Sequence, residues 1–214
     1  MTKKERAAKV SEILKELYPV AECALAYGGD PWRLFVMARL SAQCTDARVN
    51  AVSAELFKKY PNAEAMARAD INELESAVRP CGLYKTKAAQ LKAACAILTE
   101  KYGGNIPSDM DGLLALPGVG RKIANLLRGD IYGLGGIVAD THCIRISGRL
   151  GFTAEKEKDA ARVERALAAV IPVDKQSDFC HRIVLFGRDI CSARSPKCDS
   201  CPLRAAGVCP KNKA

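Results

Sequence analysis

Short apolar helix periods separated by prolines are the feature that most constrains the fold of this 214-residue chain. Val10, Ile13, Leu14 and Leu17 recur at the spacing of one helix face, and the pattern stops before Pro19. No run alternates apolar and polar residues long enough for a convincing strand. We therefore predict an all-α fold, with eight further helices over residues 31–41, 46–60, 70–78, 86–102, 121–131, 141–150, 158–170 and 176–187.

The charge balance favours a polyanionic partner. Lys and Arg number 33 against 24 Asp and Glu, a formal net charge of +9, and the surplus is concentrated from Lys175 onwards. Such a surplus suits nucleic acid or an anionic membrane surface. A membrane-surface protein would need a basic helix with an apolar face and aromatic anchors, and only 6% of the residues are aromatic. We therefore expect no membrane partner.

The cysteines indicate a metal centre. Because residues 1–15 are charged throughout and contain no apolar run of signal-peptide length, we expect a cytoplasmic protein, whose thiols stay reduced. Four of the ten cysteines form a C-x6-C-x2-C-x7-C motif in a polar, proline-rich segment. Only one C-x-x-C pair is present, so an iron–sulfur cubane fits better than structural zinc. The predicted ligands are Cys191, Cys198, Cys201 and Cys209, and the other six cysteines are interpreted as core residues.

A glycine hairpin at residues 116–122, LPGVGRK, joins a short helix predicted at 109–115 to the helix that begins near Arg121. Glycines let backbone N–H groups approach an anion, and a helix N-terminus carries free N–H groups. The segment is therefore a candidate phosphate-binding turn, although it could also be a plain helix–helix connection.

Arg121 and Lys122 place two cations in the first turn of a helix, where the helix dipole opposes them. A lysine ammonium destabilised there loses its proton more readily, and the neutral amine is a nucleophile. Both side chains could instead bind phosphate. Asp140 precedes a predicted helix, where it could act as an N-cap, as a catalytic carboxylate, or as both.

The chain resembles the endonuclease III family. The hairpin at 116–122, the Asp-Thr-His run at 140–142 and the four-cysteine motif follow that family's order and spacing. LSAQCTD at 40–46 resembles its LSAQxTD helix start, and GLYKTK at 82–87 resembles its GLYxxKA loop. The resemblance implies a helix-hairpin-helix protein with a [4Fe-4S] cluster and two helical domains flanking a DNA-binding cleft. One domain would span residues 24–134, and the other would combine 1–23 with 135–214.

The resemblance also implies an activity, that of a bifunctional DNA N-glycosylase and AP lyase of base excision repair. Lys122 would attack C1′ of the damaged nucleoside, with Asp140 assisting, and β-elimination from the Schiff base would cut the strand on the 3′ side. The substrate would be double-stranded DNA with an oxidised or ring-saturated pyrimidine or an abasic site. The protein would act as a monomer at the nucleoid.

Further residues are carried over as DNA contacts. Gln43 and Leu83 would fill the gap left by a flipped nucleotide. Gly118, Val119 and Gly120 would bind phosphate through their backbone N–H groups. The remaining candidate contacts are Lys85, Lys87, Arg121, His142 and Arg145.

Some positions depart from the family pattern. The last cysteine gap is seven residues instead of the usual five, so the assignment of Cys209 is the one that departs from the family spacing, and Ile123 follows Lys122 where many relatives have threonine. Two alternative functions remain. An adenine or mismatch glycosylase of the same superfamily would lack the lysine at position 122, and a non-catalytic DNA-binding module would form no Schiff base.

Overall fold

A computed structural model describes residues 1–210 of the chain. Two lysines of the basic C-terminal segment, Lys211 and Lys213, lie outside the described residues. The described residues form helices and short 3₁₀ turns and contain no strand, so the all-α prediction is confirmed. The helices are α1 Lys3–Leu17, α2 Pro31–Leu40, α3 Asp46–Lys59, α4 Ala63–Ala67, α5 Ile71–Val78, α6 Tyr84–Tyr102, α7 Met110–Leu114, α8 Arg121–Tyr132, α9 Thr141–Arg149, α10 Ala160–Ala168, α11 Gln176–Asp189 and α12 Pro202–Ala205.

Side-chain caps explain why many of these helices begin where they do. Thr2 and Glu5 form a reciprocal capping box at α1. A side-chain oxygen of the N-cap residue accepts from the free N–H groups of the first turn at α2, α3, α4, α5, α7, α9 and α10. The predicted helices correspond to α1–α3 and α5–α11. The periodicity missed α4 and α12 because each is too short to show a helical repeat.

The chain divides into two compact units. One unit spans Cys23–Tyr132, and the other combines Met1–Glu22 with the described residues from Gly133 onwards. The predicted domain of residues 24–134 differs from the first unit by one residue at its start and two at its end. None of the described helices is both long and apolar enough to span a membrane.

The unit of residues 23–132 is built around α2. Every residue of that helix from Leu34 to Leu40 is buried, and α6 and α8 pack against it. Each large apolar side chain buried there stabilises the fold by about 1.5–3 kcal/mol. In the other unit α9 and α11 pack together, and α1 packs against α11 around Val10, Leu14 and Phe179.

Candidate functional site

The hairpin between α7 and α8 requires glycine at position 118. Gly118 has a φ of +81°, and a Cβ atom there would lie 2.7 Å from Gln90 Oε1 and would also collide with Arg39. The Val119 N–H donates to the Leu116 carbonyl at 3.0 Å, which closes the turn. That bond contradicts the predicted phosphate contact of the Val119 amide, because its N–H is already used. Gly120 is different, since a Cβ atom there would meet only open space.

Lys122 lies in the first turn of α8, directly after the hairpin. Its side chain is exposed, and its ammonium makes no hydrogen bond or ion pair with any residue of the described chain. The neighbouring Arg121 is exposed as well. The lysine is therefore accessible to a substrate.

Asp140 is the N-cap of α9, as one of the predicted roles requires. Its Oδ1 accepts from the Cys143 N–H at 2.7 Å, and its Oδ2 lies 3.4 Å from His142 Nδ1. The carboxylate is 17% exposed. One oxygen therefore caps the helix, while the only hydrogen-bond partner of the other within residues 1–210 is the His142 ring, at the edge of hydrogen-bonding distance.

Gln43 and Leu83 have unusual backbones. Both are exposed and both adopt left-handed conformations, with φ of +54° and +47°. The Leu83 side chain is 56% exposed although it is apolar. Left-handed backbone costs a non-glycine residue about 1–2 kcal/mol, and such strain occurs preferentially at binding sites.

The lysines and arginines predicted to contact DNA are in unlike environments. Lys85 is exposed, whereas Lys87 is fully buried and its Nζ donates to the carbonyls of Leu40 and Cys81, each at 2.8 Å. The predicted DNA contact of Lys87 is therefore wrong, because its ammonium does not reach the surface. The Arg145 guanidinium donates internally to the carbonyls of Gly187 and Cys191.

The four predicted cluster ligands line a single cavity of about 630 Å³. Arg149 fixes one side of this cavity, since its Nη1 lies 3.2 Å from Cys191 Sγ and 2.7 Å from the Ser192 carbonyl. Within residues 1–210 no three His, Cys, Asp or Glu side chains converge on a single ion position. A cubane does not need such convergence, because each of its four thiolates binds a different iron atom. Thiol donors around a roomy cavity with an arginine beside them fit a [4Fe-4S] cluster.

Comparison with known proteins identifies the family. A model of the HhH-GPD superfamily of base excision DNA repair proteins matches residues 36–172, and a model of the iron–sulfur binding domain of endonuclease III matches residues 191–205. Endonuclease III of Synechocystis sp. is 43% identical over the whole chain, which covers 95% of that protein. The chain belongs to the endonuclease III family. Endonuclease III of Bacillus subtilis is 41% identical over 88% of this chain and 85% of its own.

A solved structure extends the match to three dimensions. The non-covalent endonuclease III–DNA complex has a TM-score of 0.90 at 40% identity, covering 98% of this chain and 96% of the other. As a member of the endonuclease III family, the protein is a DNA glycosylase and AP lyase of base excision repair that carries a [4Fe-4S] cluster.

Sequence reasoning missed two sets of buried or half-buried polar contacts. One is Arg149 at the cysteine cavity, and the other contains Lys87 with the hydrogen-bonded pair of Arg39 and Gln90. A signal for Lys87 exists, because it falls on the same face of α6 as the buried Leu91 and Ala94. A lysine on an apolar face indicates a buried ammonium with partners.

Proposed function

We propose that this protein removes oxidised or ring-saturated pyrimidines from double-stranded DNA and cleaves abasic sites, with Lys122 as the nucleophile. The observation that carries the proposal is the exposed Lys122 side chain, free of partners among the described residues, at the start of α8 behind the glycine hairpin. A similar protein supports the chemistry, since one solved structure, 40% identical to this chain, is a trapped endonuclease III–DNA covalent intermediate.

In the proposed reaction the neutral Lys122 amine attacks C1′, and the damaged base leaves with the electrons of the glycosidic bond. The sugar ring then opens and a Schiff base forms between C1′ and Nζ. Loss of a proton from C2′ expels the 3′ phosphate, which breaks the strand by β-elimination. Asp140 would stabilise positive charge on the sugar, using the oxygen that does not cap α9.

The target base must leave the duplex before Lys122 can reach C1′, at a cost of about a few kcal/mol. Gln43 and Leu83 would fill the resulting gap, the amide pairing with the orphaned base and the leucine acting as an apolar wedge. Their exposed, strained backbones support this role. The proposed phosphate contacts are the amides of Gly118 and Gly120, with Lys85, Arg121, His142 and Arg145 as further candidates.

The cluster ligands in this proposal are Cys191, Cys198, Cys201 and Cys209. Three of them lie within the segment that matches the iron–sulfur domain, and Cys209 lies beyond it but lines the same cavity. When bound, the cluster would supply a rigid anchor for a chain segment with little apolar core of its own. The two compact units are the proposed domains, and we propose that the protein acts as a cytoplasmic, nucleoid-associated monomer.

Borohydride trapping tests the proposal. The protein is incubated with duplexes that contain one abasic site or one thymine glycol, borohydride is added, and covalent complexes are separated by denaturing electrophoresis. We expect an adduct with wild type and none with Lys122→Ala. Lys101→Ala, which removes another exposed positive charge near the C-terminal end of α6, controls for charge loss and keeps the adduct.

The alternative functions give other outcomes. DNA binding with an intact cluster but with no adduct and no strand cleavage would favour a non-catalytic binding module. Trapping on abasic DNA without release of thymine glycol would leave the lysine mechanism standing and refute the proposed lesion class. Release of adenine from a mismatch would indicate the related glycosylase activity.

A further inference from the structure

The Lys87 ammonium is buried without a carboxylate among its hydrogen-bond partners. Its side chain is 0% exposed, and Nζ donates to the carbonyls of Leu40 and Cys81, each at 2.8 Å. Burial lowers the pKa of Lys87, because an ammonium loses hydration there. A buried charge of this kind destabilises a fold unless its hydrogen bonds offset the lost hydration, so the position of its two partners in the fold matters.

Both partner carbonyls lie at the ends of helical segments. Leu40 is the last residue of α2, where unpaired carbonyls carry the negative end of the helix dipole. Cys81 ends the 3₁₀ turn Arg79–Cys81. The ammonium therefore links the C-terminal ends of two helical segments that are far apart in the sequence.

The residues that follow these two carbonyls are the strained ones. Gln43 comes three residues after Leu40, and Leu83 comes two residues after Cys81. Left-handed non-glycine backbone persists only where the surrounding structure holds it in place. The Lys87 side chain thus binds the start of each segment that leads to a strained, exposed residue.

We propose that Lys87 is a positioning residue for lesion recognition, which presets Gln43 and Leu83 for insertion into the duplex before DNA binds. The inference rests on the gap-filling roles given to those two residues under the proposed function. Preorganised side chains lose less conformational freedom on binding, so the benefit is expected in lesion-specific affinity.

A second polar contact between the same two helices extends this arrangement to the hairpin. Arg39 of α2 donates to Gln90 of α6, and both side chains close around Gly118, leaving no space for a Cβ atom. Lys87 and Gln90 lie one helical turn apart on α6. The contacts between α2 and α6 therefore hold three features of one unit: the segment that carries Gln43, the segment that carries Leu83, and the hairpin at 116–122.

The chain contains a matched control lysine. Lys92, also on α6, donates to two carbonyls, those of Ala67 at 2.8 Å and Ala69 at 2.5 Å. Ala67 is the last residue of α4, and neither carbonyl belongs to a segment that leads into Gln43 or Leu83. Lys92 is half-buried whereas Lys87 is fully buried, but each lysine donates to two carbonyls. Lys87→Met and Lys92→Met thus remove the same kind of hydrogen bonds from one helix, and only the Lys87 bonds lead to the segments that carry Gln43 and Leu83.

The experiment compares the affinity of each full-length variant for two duplexes. One contains a tetrahydrofuran abasic-site analogue with 2-aminopurine opposite it, and the other is undamaged. We expect Lys87→Met to lower the ratio of specific to non-specific affinity by about tenfold or more and to reduce the 2-aminopurine response. We expect Lys92→Met to keep the affinity ratio and the 2-aminopurine response at their wild-type values. An unchanged ratio in Lys87→Met, or an equal loss in both variants, would overturn the inference.

Leu83→Ala separates this inference from its premise. If Leu83→Ala keeps the wild-type ratio, the wedge role fails and the positioning role fails with it. If Leu83→Ala lowers the ratio and Lys87→Met does not, only the positioning role is refuted. If Lys87 acts through Leu83, Lys87→Met lowers the affinity ratio less in the Leu83→Ala background than in wild type, because the side chain being positioned is already absent.

A wild-type measurement decides the question should Lys87→Met not fold. Backbone ¹⁵N relaxation of the DNA-free protein gives order parameters for Gln43 and Leu83. Values near those of a rigid backbone, about 0.85, support preset segments. Values below about 0.6 in the free protein would overturn the inference.

Discussion

Gln43 and Leu83 share a left-handed backbone conformation that no other non-glycine residue within residues 1–210 adopts. Neither side chain is suited to it, because the steric cost of a Cβ atom there is not offset by the local hydrogen bonds that asparagine or aspartate can form. The two residues lie 40 positions apart in the sequence, and Lys87 donates to a carbonyl shortly before each of them, those of Leu40 and Cys81. Their strain and their exposure together favour a role in binding over a role in folding.

Leu83 offers a direct test of that strain. Leu83→Gly removes both the wedge and the steric penalty, whereas Leu83→Ala removes the wedge alone. We expect both variants to lose lesion-specific binding, and Leu83→Gly to be more stable than Leu83→Ala by about 1 kcal/mol. Chemical denaturation measures the stability difference, and equal stability of the two variants would refute the strain argument.

The two hairpin glycines should differ in what they tolerate. Gly118→Ala places a Cβ atom against Arg39 and Gln90 in a left-handed backbone, and we expect a loss of about 2 kcal/mol or more in the free energy of unfolding. Gly120→Ala enters open space and should change that free energy by less than about 1 kcal/mol. Thermal melts of the two variants check the contrast, which fails if they are destabilised alike.

Asp140 combines a cap with a proposed catalytic carboxylate, and two substitutions separate them. Asn is as good an N-cap as Asp, so Asp140→Asn should keep wild-type stability while base excision falls by about a hundredfold. Asp140→Ala should also lose about 1 kcal/mol of stability with the cap. Single-turnover excision and melting curves are measured together, and full activity in Asp140→Asn would leave the residue only its capping role.

The cysteine assignment makes a prediction about iron. Cys198→Ala and Cys209→Ala should each lower the iron content and the visible absorbance of the purified protein, because each removes a proposed ligand. Cys95→Ala is the control, since Cys95 is buried in the core of the other unit. Full iron loading of Cys209→Ala would show that the cavity holds the cluster with three of the four cysteines.

Arg149 should hold the cysteine segment in place. Its guanidinium donates to the carbonyls of Cys191, Ser192 and Ala193 as well as to the Cys191 sulfur. Hydrogen bonds to a charged group stabilise by about 1.5–3 kcal/mol each, so Arg149→Gln should lose its cluster absorbance faster in chelator than wild type. Arg165→Gln, at an exposed position of α10, should lose it at the wild-type rate.

Local chemistry determined most of what the sequence alone could predict. The 3.6-residue period and the proline breaks predicted the longer helices, and the glycine spacing predicted a tight turn in front of Lys122. The C-x6-C-x2-C-x7-C motif indicated a metal centre because four dense thiols in a polar segment have few other uses. The accessible Lys122 and the capping Asp140 also follow from their immediate neighbours in the chain.

Only the tertiary structure decided which distant groups hold the charged side chains that do not face solvent. Lys85 and Lys87 are two lysines of the same GLYKTK segment, yet Lys85 is exposed and Lys87 is buried. The difference arises because the carbonyls of Leu40 and Cys81 meet at Lys87, and Leu40 comes 47 residues earlier in the chain. The helical period places Lys87 on the apolar face of α6, but which distant carbonyls meet its ammonium depends on how the helices pack, and no local sequence pattern encodes that. The same packing places Arg39 and Gln90 around Gly118 and Arg149 beside Cys191.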